Sequence, residues 1–174
     1  VALRSLEALD ACASPAIATS CPVVVNLVER YYHHLLDHLV PVASPMVTHG
    51  RMIKSCRGPE VKVVFAGPCV AKKDEAVREE TSGAIDAVLT FEELRDMFEQ
   101  AGIDPADTTA DCAAAPGGAG IDAGRRPGRA RLFPIEGGMM ATAGVSSDMI
   151  EGPDLCVTGM DNVIALLDNL HRQS

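Results

Sequence analysis

Two short apolar runs each deliver a cysteine to the start of a stretch that can form a helix. Val61 to Phe65 (VKVVF) has the composition of a buried strand and leads through Gly67-Pro68 to Cys69. Ala16 to Thr19 is a candidate second strand and leads through Ser20 to Cys21, with Pro22 next. Ligands of an open parallel sheet sit in the crevice beyond the carboxyl ends of its strands. Two strand-end cysteines of one such sheet would meet there, although they lie far apart in the chain. Converging thiolates are what a soft metal centre or an iron–sulfur cluster requires.

The rest of the chain supports that architecture. Val24 to Leu39 carries apolar residues at 24, 27, 28, 31, 35 and 39, the spacing of one helical face. Pro22 suits the first turn of that helix, where a missing N–H costs nothing, and places Cys21 at its positive end. Ile85 to Leu89 reads as a buried strand. Thr90-Phe91-Glu92-Glu93 then spells a capping box that opens a helix to about Ala101, stopped by Gly102. Leu155 to Thr158 is expected to be a last strand, and Asp161 can cap a terminal helix. Strands alternating with helical runs predict an α/β fold, a mainly parallel sheet with flanking helices. Residues 104–131 break the pattern. They are rich in Ala, Gly, Pro and Asp, include APGGAG and AGRRPGR, and show no hydrophobic period. They read as a loop-like insertion in a single domain spanning 1–174, the first place a protease should cut.

Composition narrows the function classes. At 174 residues and 47% apolar, the chain can bury one real core. With 3% aromatic residues and no Trp, that core is built from Val, Leu, Ile, Ala and Met. No apolar run approaches the roughly 18 residues of a membrane helix. A net charge of -9 and a pI near 4.9 oppose nucleic-acid binding, which wants a clustered basic surface. Six irregularly spaced cysteines suit reduced thiols in the cytoplasm better than a secreted disulfide framework. The absence of any Cys-x-x-Cys excludes a self-contained ferredoxin motif or zinc ribbon.

Beyond these patterns, Ala18-Thr19-Ser20-Cys21-Pro22 and Gly67-Pro68-Cys69, with Lys72 and Glu75 at matching intervals, form two recognisable signatures. Val25 to Leu39, Ser44-Pro45-Met46, Asp86 to Leu94 (DAVLTFEEL) and Phe133 to Met140 (FPIEGGMM) extend the likeness. On these residues the chain resembles the catalytic, H-cluster-binding domain of the iron-only hydrogenase large subunit. The likeness covers most of 16–174, apart from about 104–130, and the second signature is the specific one. It implies that Cys21 and Cys69 ligate metal, in a [4Fe-4S] cluster bridged to a diiron subcluster. It implies that Lys72 lies beside the diiron part, donating to an anionic ligand. Glu75 is then a candidate proton carrier or helix-start carboxylate, and Ser44, Met46, Gly137 and Gly138 line or approach the cofactor. The implied chemistry is reversible H2 oxidation and proton reduction, in an anaerobic cytoplasm. The implied partner is a ferredoxin-like domain, or a signalling domain in the same polypeptide.

Three departures from the family pattern bear on activity. Ser20 stands where catalytic members carry a proton-relaying cysteine, and a hydroxyl surrenders its proton far less readily than a thiol. Gly67 replaces the usual Met, and Met46 the usual Gln. Such changes resemble the divergent, sensory branch. The family's third signature, with two more cluster cysteines, follows a segment like Leu155 to Leu170, and this sequence reaches only Ser174. The chain therefore reads as a fragment, expected to hold no intact cluster alone. Three function classes follow: a hydrogenase, an H2 sensor with the same pocket, and a non-enzymatic module that binds only an iron–sulfur cluster.

Each candidate has a plainer reading. Cys21 and Cys69 as isolated residues would be small buried hydrophobes, and a zinc site would need two further ligands. Lys72, Lys73 and Glu75 could be the solvated start of a helix, with Lys73 facing water. His33, His34 and His38 invite a metal reading, since 34 and 38 share a helix face, but a solvated face is the default. Arg125, Arg126, Arg129 and Arg131 are a solvated loop, or a dock for an acidic partner. Cys12, Cys56, Cys112 and Cys156 have no motif context, and Cys112 is the expected exposed thiol.

Overall fold

The computed structural model describes residues 7–8, 13–106 and 155–173. Gly137, Gly138, Cys12, Cys112, the arginine cluster, Phe133 to Met140 and nearly all of the expected insertion lie outside the described residues.

The first helix, α1, runs Pro22–Tyr31, with proline in its first turn and Cys21 as an extended N-cap whose side chain makes no capping bond. It stops well short of the expected Leu39. Tyr32 leaves the helix at φ -128° and ψ 52°, and His33–His38 continues as a 3₁₀ turn. The cause is tertiary. The break turns Tyr31 out to 73% exposure and brings Tyr32 inward, where its hydroxyl donates to Asp168 Oδ1 at 2.6 Å. Leu35 then buries against Val28 and Leu167. Ala16 to Thr19 is likewise not a strand. Only Ile17 pairs, in an isolated parallel bridge to Leu39, which anchors the approach to Cys21.

Helix α2, Pro45–Arg57, begins where the Ser44 hydroxyl accepts the Val47 N–H at 3.4 Å. Lys54 and Arg57 occupy its last turn, complementing the negative end of the helix dipole. Strands β1 (Val64–Ala66) and β2 (Ala87–Leu89) pair in parallel, in the register Val64↔Ala87, Phe65↔Val88, Ala66↔Leu89. Both start later than expected, because the Asp86 carboxylate closes the ladder at that end. It accepts the Val63 N–H at 2.8 Å and pairs with Lys54 at 2.7 Å. Lys54 first, then the Val63 amide, hold this carboxyl well below the usual carboxylate range.

Helix α3 is Ala71–Val77, followed by a 3₁₀ turn at Glu79–Thr81. Helix α4, Phe91–Ala101, starts on the expected capping box: Thr90 Oγ1 accepts the Glu93 N–H at 3.2 Å and Glu93 Oε2 accepts the Thr90 N–H at 2.8 Å. It ends at Gly102, which adopts the left-handed conformation at φ 66° that glycine alone takes without steric cost. Helix α5, Met160–Gln173, closes the described chain. Leu155 to Thr158 precedes it in irregular conformation, not as the expected strand, and Asp161 lies inside the first turn. The result is an α/β fold, a small parallel sheet flanked by helices. No helix among the described residues is long and apolar enough to cross a membrane.

Two apolar clusters hold these elements. One packs Met46, Val47, Ala84 and Ile85 beneath the sheet, with Phe65 and Val88 alongside. The other packs Val28, Leu35 and Leu167, joining α1 and its turn to α5. Gly50 sets the closeness of the first. A Cβ there would run into the Ala84 carbonyl oxygen and meet Ile85 Cδ1 at 2.6 Å. Alanine in a helix interior ordinarily gains about 1 kcal/mol over glycine, but a backbone carbonyl cannot swing aside. Gly50→Ala should therefore destabilise the protein by about 1–3 kcal/mol, the usual cost of overpacking. Urea unfolding tests the sign, and a neutral or stabilised variant would mean that α2 lies farther from Ala84.

Candidate functional site

The first motif is held from below by backbone. The Ile17 N–H donates to the His38 carbonyl at 2.7 Å, and the Val40 N–H returns to Ile17 at 2.9 Å. The Thr19 hydroxyl lies 2.9 Å from the Val40 carbonyl and 2.6 Å from that of Val42. Ser20 and Cys21 follow directly, Ser20 half-buried and Cys21 exposed at the N-terminus of α1.

The second motif follows β1. Gly67 is buried, and its N–H extends the ladder to the Leu89 carbonyl at 3.0 Å. A Cβ on Gly67 would lie 2.7 Å from Phe65 Cε1. The Phe65 ring thus fills the space a larger residue at 67 would take, which gives the Gly67 departure a local reason. Cys69 is half-buried, and its carbonyl accepts the Lys72 N–H at 3.2 Å as α3 begins.

Lys72 joins the two motifs. Its ammonium donates to Glu75 Oε2 at 2.7 Å and to the Ser20 carbonyl at 3.2 Å, across 52 residues of sequence. The ion pair is largely withdrawn from water, with Lys72 12% and Glu75 9% exposed at the side chain. A second clip lies one turn beyond Glu75. Arg78 forks onto Glu29 of α1, Nη1 to Oε1 at 3.0 Å and Nη2 to Oε2 at 2.6 Å, and also reaches Asn26. The Glu29 bonds raise the Arg78 pKa, so this cation stays charged at any working pH. Lys73 does not simply face water. It pairs with Glu93 Oε1 at 2.5 Å, tying α3 to the capping box of α4, and that bond, before the Thr90 amide, lowers the Glu93 pKa.

A cavity of about 400 Å³ opens between these elements. Thr19, Pro22, Glu29, Ser44, Glu75 and Arg78 are among its walls. The structure therefore brings Ser20, Lys72 and Glu75 together directly, and Ser44 joins Glu75 at the cavity. Met46 sits elsewhere, buried in the core cluster with Val47 and Ile85. Among the described residues, no three His, Cys, Asp or Glu side chains gather as a metal site. Arg78, Glu29 and Asn26 were not singled out by sequence reasoning. Their one local signal is the placement of Arg78 one turn after Glu75 on the same stretch.

This combination of an α/β fold, two cysteine motifs and a half-buried lysine bonded to both defines a class. Residues 3–167 match the family model described as iron only hydrogenase large subunit, C-terminal domain. The chain belongs to that family. It is similar to the periplasmic [Fe] hydrogenase large subunit of Nitratidesulfovibrio vulgaris, with 33% identity over 74% of this chain and 32% of that protein. It is similar also to the cytosolic Fe-S cluster assembly factor NAR1 of Vanderwaltozyma polyspora, with 31% identity over 51% of this chain and 17% of that protein. The chain thus spans about a third or less of the length of these relatives. A solved [FeFe]-hydrogenase, from work on oxygen inactivation through its H cluster 2Fe subcluster, shares the fold at a TM-score of 0.51 and 23% identity, over 59% of this chain and 30% of that one.

The buried pair makes a sharp energetic prediction. Removing one partner of a buried ion pair strands the other charge and typically costs 3 kcal/mol or more, whereas replacing both with apolar groups is often nearly neutral. Lys72→Met alone should cost about 3 kcal/mol, and Lys72→Met with Glu75→Leu should recover most of it. Urea unfolding of both variants decides this. A single variant within about 0.5 kcal/mol of wild type would show the pair to be solvated.

Proposed function

We propose that the two motifs form one edge of an iron–sulfur site in a hydrogenase-like domain, with Cys21 and Cys69 as thiolate ligands and Lys72 as the cation beside them. The observation that carries this reading is the Lys72 bond to the Ser20 carbonyl, which fixes the residue before Cys21 to the helix that follows Cys69. The donor set fits the chemistry: sulfur ligands suit iron–sulfur centres, and a fixed ammonium suits the negative charge such centres carry. An H-cluster bound there would supply a diiron centre for reversible H2 cleavage and a [4Fe-4S] cluster to carry the electrons.

The protein's own part is positional. An ammonium has three donors, and Lys72 gives two of them to Glu75 and Ser20. The third is the one it can offer to an anionic ligand. Glu75 holds that ammonium in place and faces the cavity shared with Thr19 and Ser44, an entry for water and protons. Ser20 supplies a hydroxyl where a thiol would relay protons better, so turnover is slow, as suits a sensor. The partner is a ferredoxin-like or signalling domain, and the compartment is the cytoplasm.

A non-enzymatic iron–sulfur role is the second reading. Ser20 and the similarity to an Fe-S cluster assembly factor favour it. Anaerobic purification from a host with the diiron maturation machinery separates the possibilities. In a polypeptide that also supplies the family's third signature, bound iron and acid-labile sulfide are expected and Cys21→Ser or Cys69→Ser should abolish both, whereas this chain alone should hold little of either. Infrared bands of CO and cyanide ligands would mark the hydrogenase-type site, and in that case Ser20→Cys should raise H2 evolution by about 10²-fold or more. Iron without those bands would leave the assembly-type reading. Iron content unchanged by both cysteine substitutions would contradict the site itself.

A further inference from the structure

Away from the cysteine motifs, three histidines of the 3₁₀ turn at His33–His38 lie near a fourth on α5. The pairing that forms is not His34 with His38. His38 Nδ1 is engaged with the Pro15 carbonyl at 2.9 Å. His34 Nε2 instead faces His171 Nδ1 at 3.0 Å, with ring centroids 4.3 Å apart and planes inclined at 47°. Two imidazole nitrogens approach so closely only when a single proton is shared between them, one donating and the other presenting its lone pair.

The surroundings favour that neutral arrangement. Partial desolvation, then the neighbouring His171, His38 and His33, lower the pKa of His34. The backbone beneath is fixed by the cluster of Val28, Leu35 and Leu167, and by the Tyr32 hydroxyl on Asp168. Asp168 stands one helical turn before His171 and is engaged by Tyr32, so that among the described residues the two imidazoles are the convergent donors. Both rings are exposed, so an ion can reach them.

We propose that His34 and His171 form a two-histidine site for a divalent transition-metal ion of the imidazole-binding class, Zn²⁺, Ni²⁺ or Cu²⁺, which staples α5 to the turn after α1. The distances fit. With metal–nitrogen bonds of about 2.0–2.1 Å, nitrogens 3.0 Å apart subtend roughly 91–97° at the ion. That is an octahedral angle, and a small opening of the rings reaches the tetrahedral one. Binding leaves the shared proton on the far nitrogen of its own ring, and acid releases the ion by protonating the imidazoles. Water completes the coordination shell. Hard, oxygen-seeking ions find no donors of their kind in the imidazole pair. The site is independent of the cysteine motifs and of any iron–sulfur cluster there.

Zn²⁺ titration of the whole chain tests this by two readouts, thermal unfolding and the ring resonances of its histidines. Zn²⁺ should raise the melting temperature, as any ligand bound only by the folded state does, while Mg²⁺ should not. The perturbed ring signals should be those of His34 and His171. His34→Gln and His171→Gln, both surface changes, should each weaken the effect about tenfold or more, and His49→Gln should leave it intact. Thiols common to all variants cancel in that comparison. Stabilisation by Zn²⁺ that persists in His34→Gln and His171→Gln would place the ion elsewhere and overturn the proposal. So would unperturbed His34 and His171 rings at saturating Zn²⁺.

Discussion

The structure around the two cysteines depends on one half-buried cation. An ammonium withdrawn from water is costly unless it is paired and hydrogen-bonded, and Lys72 meets that demand with one partner on each side. Glu75 neutralises it from within α3, and the Ser20 carbonyl engages it from the first motif. The same bonds that make the charge tolerable therefore fix the relative position of the two motifs. Arg78 repeats the device at the other end of α3, where its fork onto Glu29 clamps the helix to α1. The cavity between them is a consequence of two helices held at their charged positions, with Thr19 and Ser44 closing one side.

Features written in local chemistry were legible in the sequence. The Thr90–Glu93 capping box needs only residues three apart, and it formed as expected, with Gly102 ending the helix it opens. The α/β class was legible because strand-like runs alternate with helical ones. Features decided across the chain were not. The apolar spacing of 24–39 fits one long helix, but Tyr32 and Leu35 find their partners on α5, at Asp168 and Leu167. The strands begin late because a carboxylate, Asp86, takes an amide that would otherwise extend the ladder.

The site divides along the same line. Cys21, Cys69, Lys72 and Glu75 carry a motif, so they were visible, and the structure supplies what the motif does not state: Lys72 is the link between them. Arg78 carries only the weak local signal of following Glu75 by one turn, and nothing in sequence announces that it will pair with Glu29, 49 residues away. The histidines show the opposite case. A helix-face reading joined His34 to His38, whereas the broken helix turned His34 toward His171. The Gly67 departure has a packing reason in Phe65, while Ser20 engages Lys72 through its backbone carbonyl and not its hydroxyl. The chain's relatives include both a hydrogenase and an Fe-S cluster assembly factor.

Whether Lys72 holds the two motifs as one unit is open to direct measurement by native-state amide hydrogen exchange in Lys72→Met. Exchange resolves local opening from global unfolding, and α4 offers an internal reference. If the Lys72 bond secures the first motif, the bonded amides of Ile17, Val25 and Val40 should lose protection well before those of Phe91–Ala101. Unchanged protection at these three amides, or an equal loss in both regions, would show that the motifs are held together by something other than this lysine.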